Sequence, residues 1–311
     1  MKASTNNRRI TKIINESLAV EYEDAKSAGM LGYMARALVQ ATLPHSDPKT
    51  SYFERTNGLV TLSIVGSPKI GLPYGSVPRV LMAWICTEAV RTKQSELILG
   101  RSQAEFMAKL QMPNDGRYIA SLKNQAHRLF SSLISLTGQQ GDDLGLENVV
   151  IAKRAFLFWN PRKPEERNLW ESTLTLSKDF YDEVTRSPVP IDLRAMYALR
   201  QSPLAMDIYT WLTYRMFLLR VRGRPHVIIP WRALKAQFGS AYGDTERIDL
   251  SEQELKKITD HALRNFRLKF LKRLNEVLLY YPEAKDAISL DPGGLRIQAT
   301  RLHIQRDAKS S

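Results

Sequence analysis

One order of elements occurs twice in this chain, and that repetition constrains the fold more than any other feature. In the first copy, Pro78 opens an apolar helix to about Arg91, a short apolar run follows at residues 97–99, and Ser102 with Glu105 forms a capping box for a short helix carrying Phe106 and Leu110. A turn at residues 113–116 leads into a longer helix, from Tyr118 to about Leu133, and then to β-rich runs at residues 149–159 and 172–176. In the second copy, Ser202 and Pro203 start a helix to about Leu219, residues 227–229 form the matching short strand, and residues 231–238 form the matching short helix. Ser251 and Glu254 make another capping box for a long helix to about Leu279, and a final hairpin runs through residues 288–290, turns at 291–294 and returns through 295–304.

Helix, short strand, helix, turn, long helix and β-hairpin is the order of a winged helix-turn-helix module. The expected fold class is therefore α+β, as two tandem winged helix-turn-helix domains. The chain divides accordingly into an N-terminal appendage and linker at residues 1–54, a first module at 55–190, a second at 191–306 and a tail at 307–311. Within the appendage, the apolar spacing at residues 13–22 and 30–39 predicts helix, and the polar, proline-containing stretch 43–50 predicts a linker. At 311 residues the chain exceeds the roughly 250 to 300 at which single cores stop growing, which agrees with two domains.

Charge narrows the partner. Lys and Arg number 45 against 32 acidic residues, a formal charge of +13, and so large an imbalance favours a polyanion. No stretch approaches the roughly 20 apolar residues of a membrane span, so nucleic acid is the expected partner and a membrane is not. Cys86 is the only cysteine, which excludes an internal disulfide and a thiolate zinc site within one chain; a cytoplasmic setting and a buried structural thiol are expected.

The long helix after Ser251 carries the sharpest local signal. At 100° per residue, Phe266, Phe270, Leu274 and Val277 share one face, while Lys257, His261, Arg264, Asn265, Lys269 and Lys272 spread over the other. Five basic residues and no acidic one lie between Arg264 and Arg273, which suits a helix lying between two rows of phosphates in the major groove. Arg pairs bidentately with guanine and Asn with adenine, so Arg264 and Asn265 are the expected base readers, with Lys269 and Lys272 on phosphates. The final hairpin, with Arg296 and Arg301, is the candidate wing. The corresponding helix of the first copy presents Arg117, Ser121, Asn124 and Arg128, a less charged side expected to contact DNA more weakly or to serve self-association. Residues 200–311 hold 20 basic and 12 acidic residues, so the charge leans towards the second copy.

Enzymatic readings find little support. A nicking enzyme needs two histidines separated by one apolar residue and a tyrosine nucleophile, and His45, His127, His226, His261 and His303 never fall at that spacing. Tyr280 and Tyr281 end an amphipathic helix before Pro282, where a structural role is expected. The run His261-Ala-Leu-Arg264 matches the His-x-x-Arg box of tyrosine recombinases without an upstream partner box. The segment Gly71-Leu-Pro-Tyr-Gly75 lacks the Lys and hydroxyl that cradle a nucleotide phosphate. The expectation is a protein that acts by binding, with no catalytic residue, metal or cofactor.

The stretch Leu72-Pro-Tyr-Gly-Ser-Val-Pro-Arg-Val-Leu-Met-Ala-Trp-Ile-Cys-Thr-Glu-Ala-Val-Arg-Thr-Lys93, followed by Glu96-Leu-Ile-Leu-Gly-Arg-Ser-Gln-Ala-Glu-Phe-Met-Ala-Lys-Leu110, resembles the plasmid-encoded RepA replication initiators of broad-host-range plasmids. The similarity continues through residues 124–130 and more loosely to the last hairpin, about residues 55–300. The resemblance implies a bacterial initiator that binds repeated origin sequences as double-stranded DNA, helps open the duplex, brings in host initiator and replicative helicase proteins, and represses its own gene as a homodimer. A pure transcriptional repressor, or a recombinase or nickase, remains the alternative.

Overall fold

The computed structural model describes residues 31–34, 39, 42–57, 60–140, 143–160, 162–186, 188–239 and 252–303. Over them the chain has an α+β fold, as expected, and it divides into two compact units, one of residues 32–189 and one that includes residues 190–311. The first described element is a strand, β1 (Leu31–Met34), where the apolar spacing of residues 30–39 predicts helix. Gly32 disfavours helix and Tyr33 favours strand there. The helix expected at residues 13–22 lies outside the described residues.

In the first unit, strands β2 (Tyr52–Asn57) and β3 (Val60–Val65) precede helix α1 (Ser76–Thr92). Every residue of α1 from Val77 to Cys86 is buried, so a helix apolar on all sides becomes the centre of the unit. Pro78 sits in its first turn, where a missing N–H costs no hydrogen bond. Arg79 is charged yet only 3% exposed, and the guanidinium is satisfied by three carbonyls: it donates to Gly75 O at 2.6 Å, Leu43 O at 2.6 Å and Pro44 O at 3.2 Å. Residues 43–44, predicted as linker, are thereby clamped to α1. The expected domain start at residue 55 falls inside β2, whose pairing with β3 begins at Tyr52↔Val65.

Strand β4 (Glu96–Gly100) follows, then α2 (Gln103–Lys109) and α3 (Gly116–Phe130). Ser102 Oγ accepts from Glu105 N at 3.1 Å, a cap worth about 1 kcal/mol. The Glu105 carboxylate reaches back to Arg101 N at 2.9 Å, one residue before the cap. Asp115 caps α3 by accepting from Arg117 N and Tyr118 N. That cap starts the helix at Gly116, and it ends at Phe130 because Leu133 already opens strand β5 (Leu133–Gln140).

The β-rich run predicted at residues 149–159 is divided between β6 (Asp143–Val150) and β7 (Ala152–Phe156), which lie in different sheets with buried Ile151 between them. One antiparallel sheet has the order β2-β3-β5-β6. The other has the order β4-β8-β7, where β8 is Ser172–Leu176 as expected. Leu97, Leu99, Leu174 and Leu176 face the core from this second sheet. Trp84, Phe106 and Trp159 pack beneath it, with ring centroids 4.9 and 5.3 Å apart. Helix α4 (Lys178–Arg186) closes the unit.

The second unit contains β9 (Val189–Asp192), α5 (Leu193–Ala198), α6 (Pro203–Val221), β10 (His226–Ile229), α7 (Trp231–Phe238), α8 (Glu252–Leu278), β11 (Ile288–Asp291) and β12 (Gly294–Gln298). Ser202 Oγ accepts from Ala205 N, and Pro203 fills the first helical position of α6. The sheet has the order β10-β12-β11, with Ile229↔Leu295 and Leu290↔Leu295 in register. A Cβ at Gly294 would collide with the Ile229 carbonyl oxygen, so only glycine lets β10 and the β11–β12 hairpin approach this closely. In both units the first strand after the long buried helix pairs with the last strand of the hairpin in its sheet, β4 with β8 and β10 with β12; two helices lie between them in the second unit, and two helices with the strands β5 and β6 in the first.

The segment after β12 is fastened rather than continuing as strand to residue 304. Tyr209 Oη bonds His303 Nδ1 at 2.8 Å and accepts from Asp192 N at 2.8 Å, while Tyr281 stacks on His303 and donates to Arg301 O at 2.9 Å. Burial lowers the His303 pKa to about 4, offset in part by Asp192, which raises it, and aided to a smaller extent by Arg194. An unfolded histidine titrates near about 6.5, so between about 6.5 and 4 the unfolded chain binds a proton that the folded chain refuses. Stability therefore falls as pH falls through that window, by up to about 3 kcal/mol. Thermal melts from pH 7 to 4 should show this slope, and His303→Gln should flatten it.

Candidate nucleic-acid interface

Helix α8 is held by one apolar face. Ala262, Phe266, Phe270, Leu274 and Val277 are buried, and Phe270 has the rings of Trp211, Trp231, Phe238 and Phe266 at 6.3, 5.9, 5.5 and 5.6 Å. That fixes which face turns to solvent. His261, Arg264, Arg267, Leu268, Lys269 and Lys272 are exposed and Asn265 is half-buried. The Lys257 side chain and the Ser251–Glu254 capping box lie outside the described residues.

Two of the five cations counted between residues 264 and 273 have work inside the unit. Arg273 pairs at 2.6 Å with Glu276, a carboxylate only 8% exposed, and the Arg267 guanidinium lies 5.0 Å from the Trp231 ring centre. Arg264, Lys269 and Lys272 are the exposed cations outside these two contacts. Reading along the helix at four-residue steps, Arg264, Leu268 and Lys272 form one line on the solvent side. Leu268 is 63% exposed, an apolar side chain between two cations.

The hairpin β11–β12 stands beyond α8. Arg296 lies on it, with Nε 3.6 Å from Asp291 Oδ2. Arg301 lies past the end of β12, exposed, in the segment fastened by Tyr281. Tyr280 and Tyr281 are fully buried, and burial pushes the Tyr281 hydroxyl pKa up. A tyrosine so placed does not present a nucleophilic oxygen to DNA.

In the first unit the polar side of α3 is largely occupied by the unit itself. Arg128 donates to Asn124 Oδ1 at 2.8 Å and to Leu72 O at 3.1 Å, lies 3.7 Å from Asp47 and stacks over Tyr74 at 5.2 Å. It also crosses Gly71, whose φ of 82° suits glycine and where a Cβ would meet Arg128 Nη1 at 2.6 Å. Lys123 donates to Trp159 O at 2.7 Å, and Gln125 accepts from Tyr74 N at 2.9 Å. Arg117 remains exposed and Ser121 is half-buried. The structure thus brings Asn124 and Arg128 together in an internal clamp, a role the sequence pattern did not separate from DNA contact.

No helix among the described residues is long and apolar enough to cross a membrane. No group of three or more His, Cys, Asp or Glu among them could hold a metal ion.

The described residues form a two-unit α+β chain with a solvent-facing cationic helix, and comparison with known proteins assigns the family. Residues 72–233, just over half of the chain, match the family model described as plasmid encoded RepA protein. The chain belongs to the plasmid-encoded RepA family of replication initiators. The match ends before α8, so the exposed helix face lies outside it. No curated protein matches the chain. Among solved structures, a selenomethionine crystal structure of RctB domains 2 and 3 is 10% identical, with 84% of this chain and 95% of that chain covered and a TM-score of 0.49. A second crystal structure of RctB domains 2–3 is 12% identical, covering 85% and 96%, with a TM-score of 0.48.

Proposed function

We propose that this chain initiates plasmid replication by binding repeated sequences of the plasmid origin as double-stranded DNA, with α8 of the second unit in the major groove. The observation that carries the reading is the exposed face of α8, cationic at Arg264, Lys269 and Lys272 and anchored from behind by Phe270. Arg264 and Asn265 read base edges, with His261 and Lys257 towards the start of the helix, and Leu268 offers apolar surface of the kind that meets a thymine methyl. The β11–β12 hairpin, with Arg296, acts as the wing beside it, and Arg301 contacts the flanking backbone. In the first unit Arg117 and Ser121 make a weaker DNA contact, while Asn124 and Arg128 hold the frame.

Each unit is proposed to be a winged helix-turn-helix domain that folds alone. Trypsin should cut first after Arg186, whose side chain is 76% exposed at the end of α4, because Val189 and Ile191 beyond it are buried. A first cut elsewhere, or an unfolded second unit in isolation, would contradict that division.

The initiator acts without catalysis in the bacterial cytoplasm, helps open the duplex, brings in host initiator and helicase proteins and represses its own gene as a homodimer. Self-association is supported by Tyr52, Val65, Leu133 and Val150, which lie in one row across β2-β3-β5-β6, all exposed and none charged. An uncharged strip of this kind can meet its own image without repulsion. Sedimentation of the full chain with and without Leu133→Lys checks this.

Two assays test the central reading against its rivals. An origin fragment carried on a plasmid should be maintained only when this chain is supplied, whereas a pure repressor would silence its promoter without maintaining the plasmid. A labelled origin fragment should stay uncut with magnesium or manganese present, whereas covalent capture of a DNA end would make the chain a recombinase or nickase.

A further inference from the structure

The hairpin of the first unit carries a surface that the duplex-reading helix does not account for. In the sheet β4-β8-β7, Leu97, Leu99, Leu174 and Leu176 take the core side, which turns Ile98, Thr173 and Phe156 to the outside as one row across the three strands. The alternation continues past β7: Phe158 is exposed and Trp159 is buried. Ile98, Phe156 and Phe158 are 53%, 49% and 39% exposed, and Trp170, on the returning segment, is 68% exposed. Phe156 and Phe158 have their rings almost parallel, 7° apart with centroids separated by 6.4 Å, and the Arg154 guanidinium stands 6.0 Å from the Phe156 ring.

These rings stand on a held segment. Phe158 N donates to Ser172 Oγ at 2.9 Å, the Asn168 side chain donates to Phe158 O, and Asn168 N donates to Arg101 O at 2.9 Å. Ala104 N donates to Pro164 O at 2.9 Å, which ties the middle of the segment to α2. Exposing several large apolar side chains on an ordered surface is unfavourable unless something covers them.

Charge indicates what that is. Lys153, Arg154, Arg162, Lys163 and Arg167, on β7 and in the segment that follows it, are exposed, and none has an ion pair among the described residues, with Arg154 standing beside the Phe156 ring. Of the three acids on the same segment, Glu171 pairs with Arg101 at 3.6 Å, Glu165 accepts from Asn114 at 2.9 Å and Glu166 accepts from Asn160 at 3.2 Å. A second copy would bring the same cations against themselves. Flat aromatic faces cannot reach bases stacked inside a duplex, but they suit unpaired bases, whose phosphates the cations would meet. Arg154-Ala-Phe156-Leu-Phe158 also has the cation and alternate aromatics with which single-strand-binding sheets stack bases.

We propose that the outer face of β4-β8-β7, with Phe156, Phe158 and Trp170 as stacking rings and Arg154 among the phosphate contacts, binds single-stranded nucleic acid. The site is separate from α8 and stands whether or not α8 reads duplex repeats.

The test uses the full chain and a fluorescein-labelled oligothymidylate of about 15 nucleotides, read by anisotropy at low salt. Wild-type protein should bind with quenching of Trp170 fluorescence, a signal absent in Trp170→Phe. Phe156→Ala and Phe158→Ala should each weaken this binding about 5- to 100-fold, while leaving melting temperature and binding to an origin duplex unchanged. Phe158→Tyr, which keeps the ring, should retain most of the affinity. Arg264→Ala, on α8, should leave oligothymidylate binding unchanged, so a failure of the duplex reading and a failure of this one give different patterns. The proposal is overturned if wild-type protein does not bind the oligonucleotide, or if Phe156→Ala and Phe158→Ala bind it as wild type does. It is also overturned if the two variants bind normally but change the oligomeric state, which would assign the face to a protein contact.

Discussion

Replacing Phe270 by Ala removes about 3 to 5 kcal/mol from the stability of the second unit, against a typical total of about 5 to 15 for a domain. The ring is fully buried and has four other aromatic rings from α6, α7 and α8 around it, and such rigid rings collapse poorly into the cavity it leaves. Urea or thermal melts of the variant measure the loss. DNA binding should fall in proportion to the unfolded fraction and return where cooling or ligand restores the fold. A variant as stable as wild type would mean that α8 is not fastened through this ring, and the assignment of its outer face would lose its support.

Changes on the outer face of α8 should behave differently, because contacts to phosphate position a protein while contacts to base edges specify sequence. Arg264→Ala or Asn265→Ala is expected to cost about 1 to 3 kcal/mol, mainly on the cognate repeat, and to relax preference at one base position. Lys269→Ala or Lys272→Ala is expected to weaken cognate and random duplex alike and to lower the salt slope by about one unit per lost phosphate contact. Arg264, Lys269 and Lys272 are exposed, so their replacement should leave the melt close to wild type, and the melt of Asn265→Ala, whose side chain is half-buried, is the control that separates lost contact from lost stability. Binding titrations at several salt concentrations separate the two patterns. If folded Arg264 and Asn265 variants keep full cognate affinity, the reading surface lies elsewhere.

Much of the fold was legible where the signal is local. Residues 231–238 and 172–176 are a helix and a strand with the expected bounds, and α6 begins at Pro203, because a capping hydroxyl, a proline and apolar spacing all act within a few residues. The sheet β2-β3-β5-β6 was not legible. Leu133-Ile-Ser-Leu-Thr-Gly-Gln-Gln follows α3 after only two residues, and what makes it a strand is pairing with residues about 70 positions earlier, at Leu133↔Val65. The clamping of residues 43–44 was not legible for a similar reason, since it depends on a buried arginine 35 residues from Pro44 that holds their carbonyls.

The candidate site shows the same division. Periodicity placed the buried and exposed faces of α8 correctly, because burial follows a 3.6-residue repeat. It could not tell which polar side chains the protein uses for itself. Arg128, Lys123 and Arg273 sit at exposed phases of their helices and still make internal contacts, through partners at Leu72, Trp159 and Glu276. A long cationic side chain reads alike in sequence whether it reaches inward across a loop or outward to a phosphate. Phe156 and Phe158 illustrate the converse, since alternate aromatics at a strand end resemble core until the sheet shows which side they face.

The central claim is that this chain recognises repeated duplex sequences at a plasmid origin through the outer face of α8. The most direct measurement is a footprint of the purified full chain on the DNA flanking its own gene, repeated with Arg264→Ala. The expected result is a series of direct repeats protected at regular phase, with protection lost or relaxed at one position per repeat in the variant. Protection of a single palindrome alone, or repeats protected identically by the variant, would contradict it.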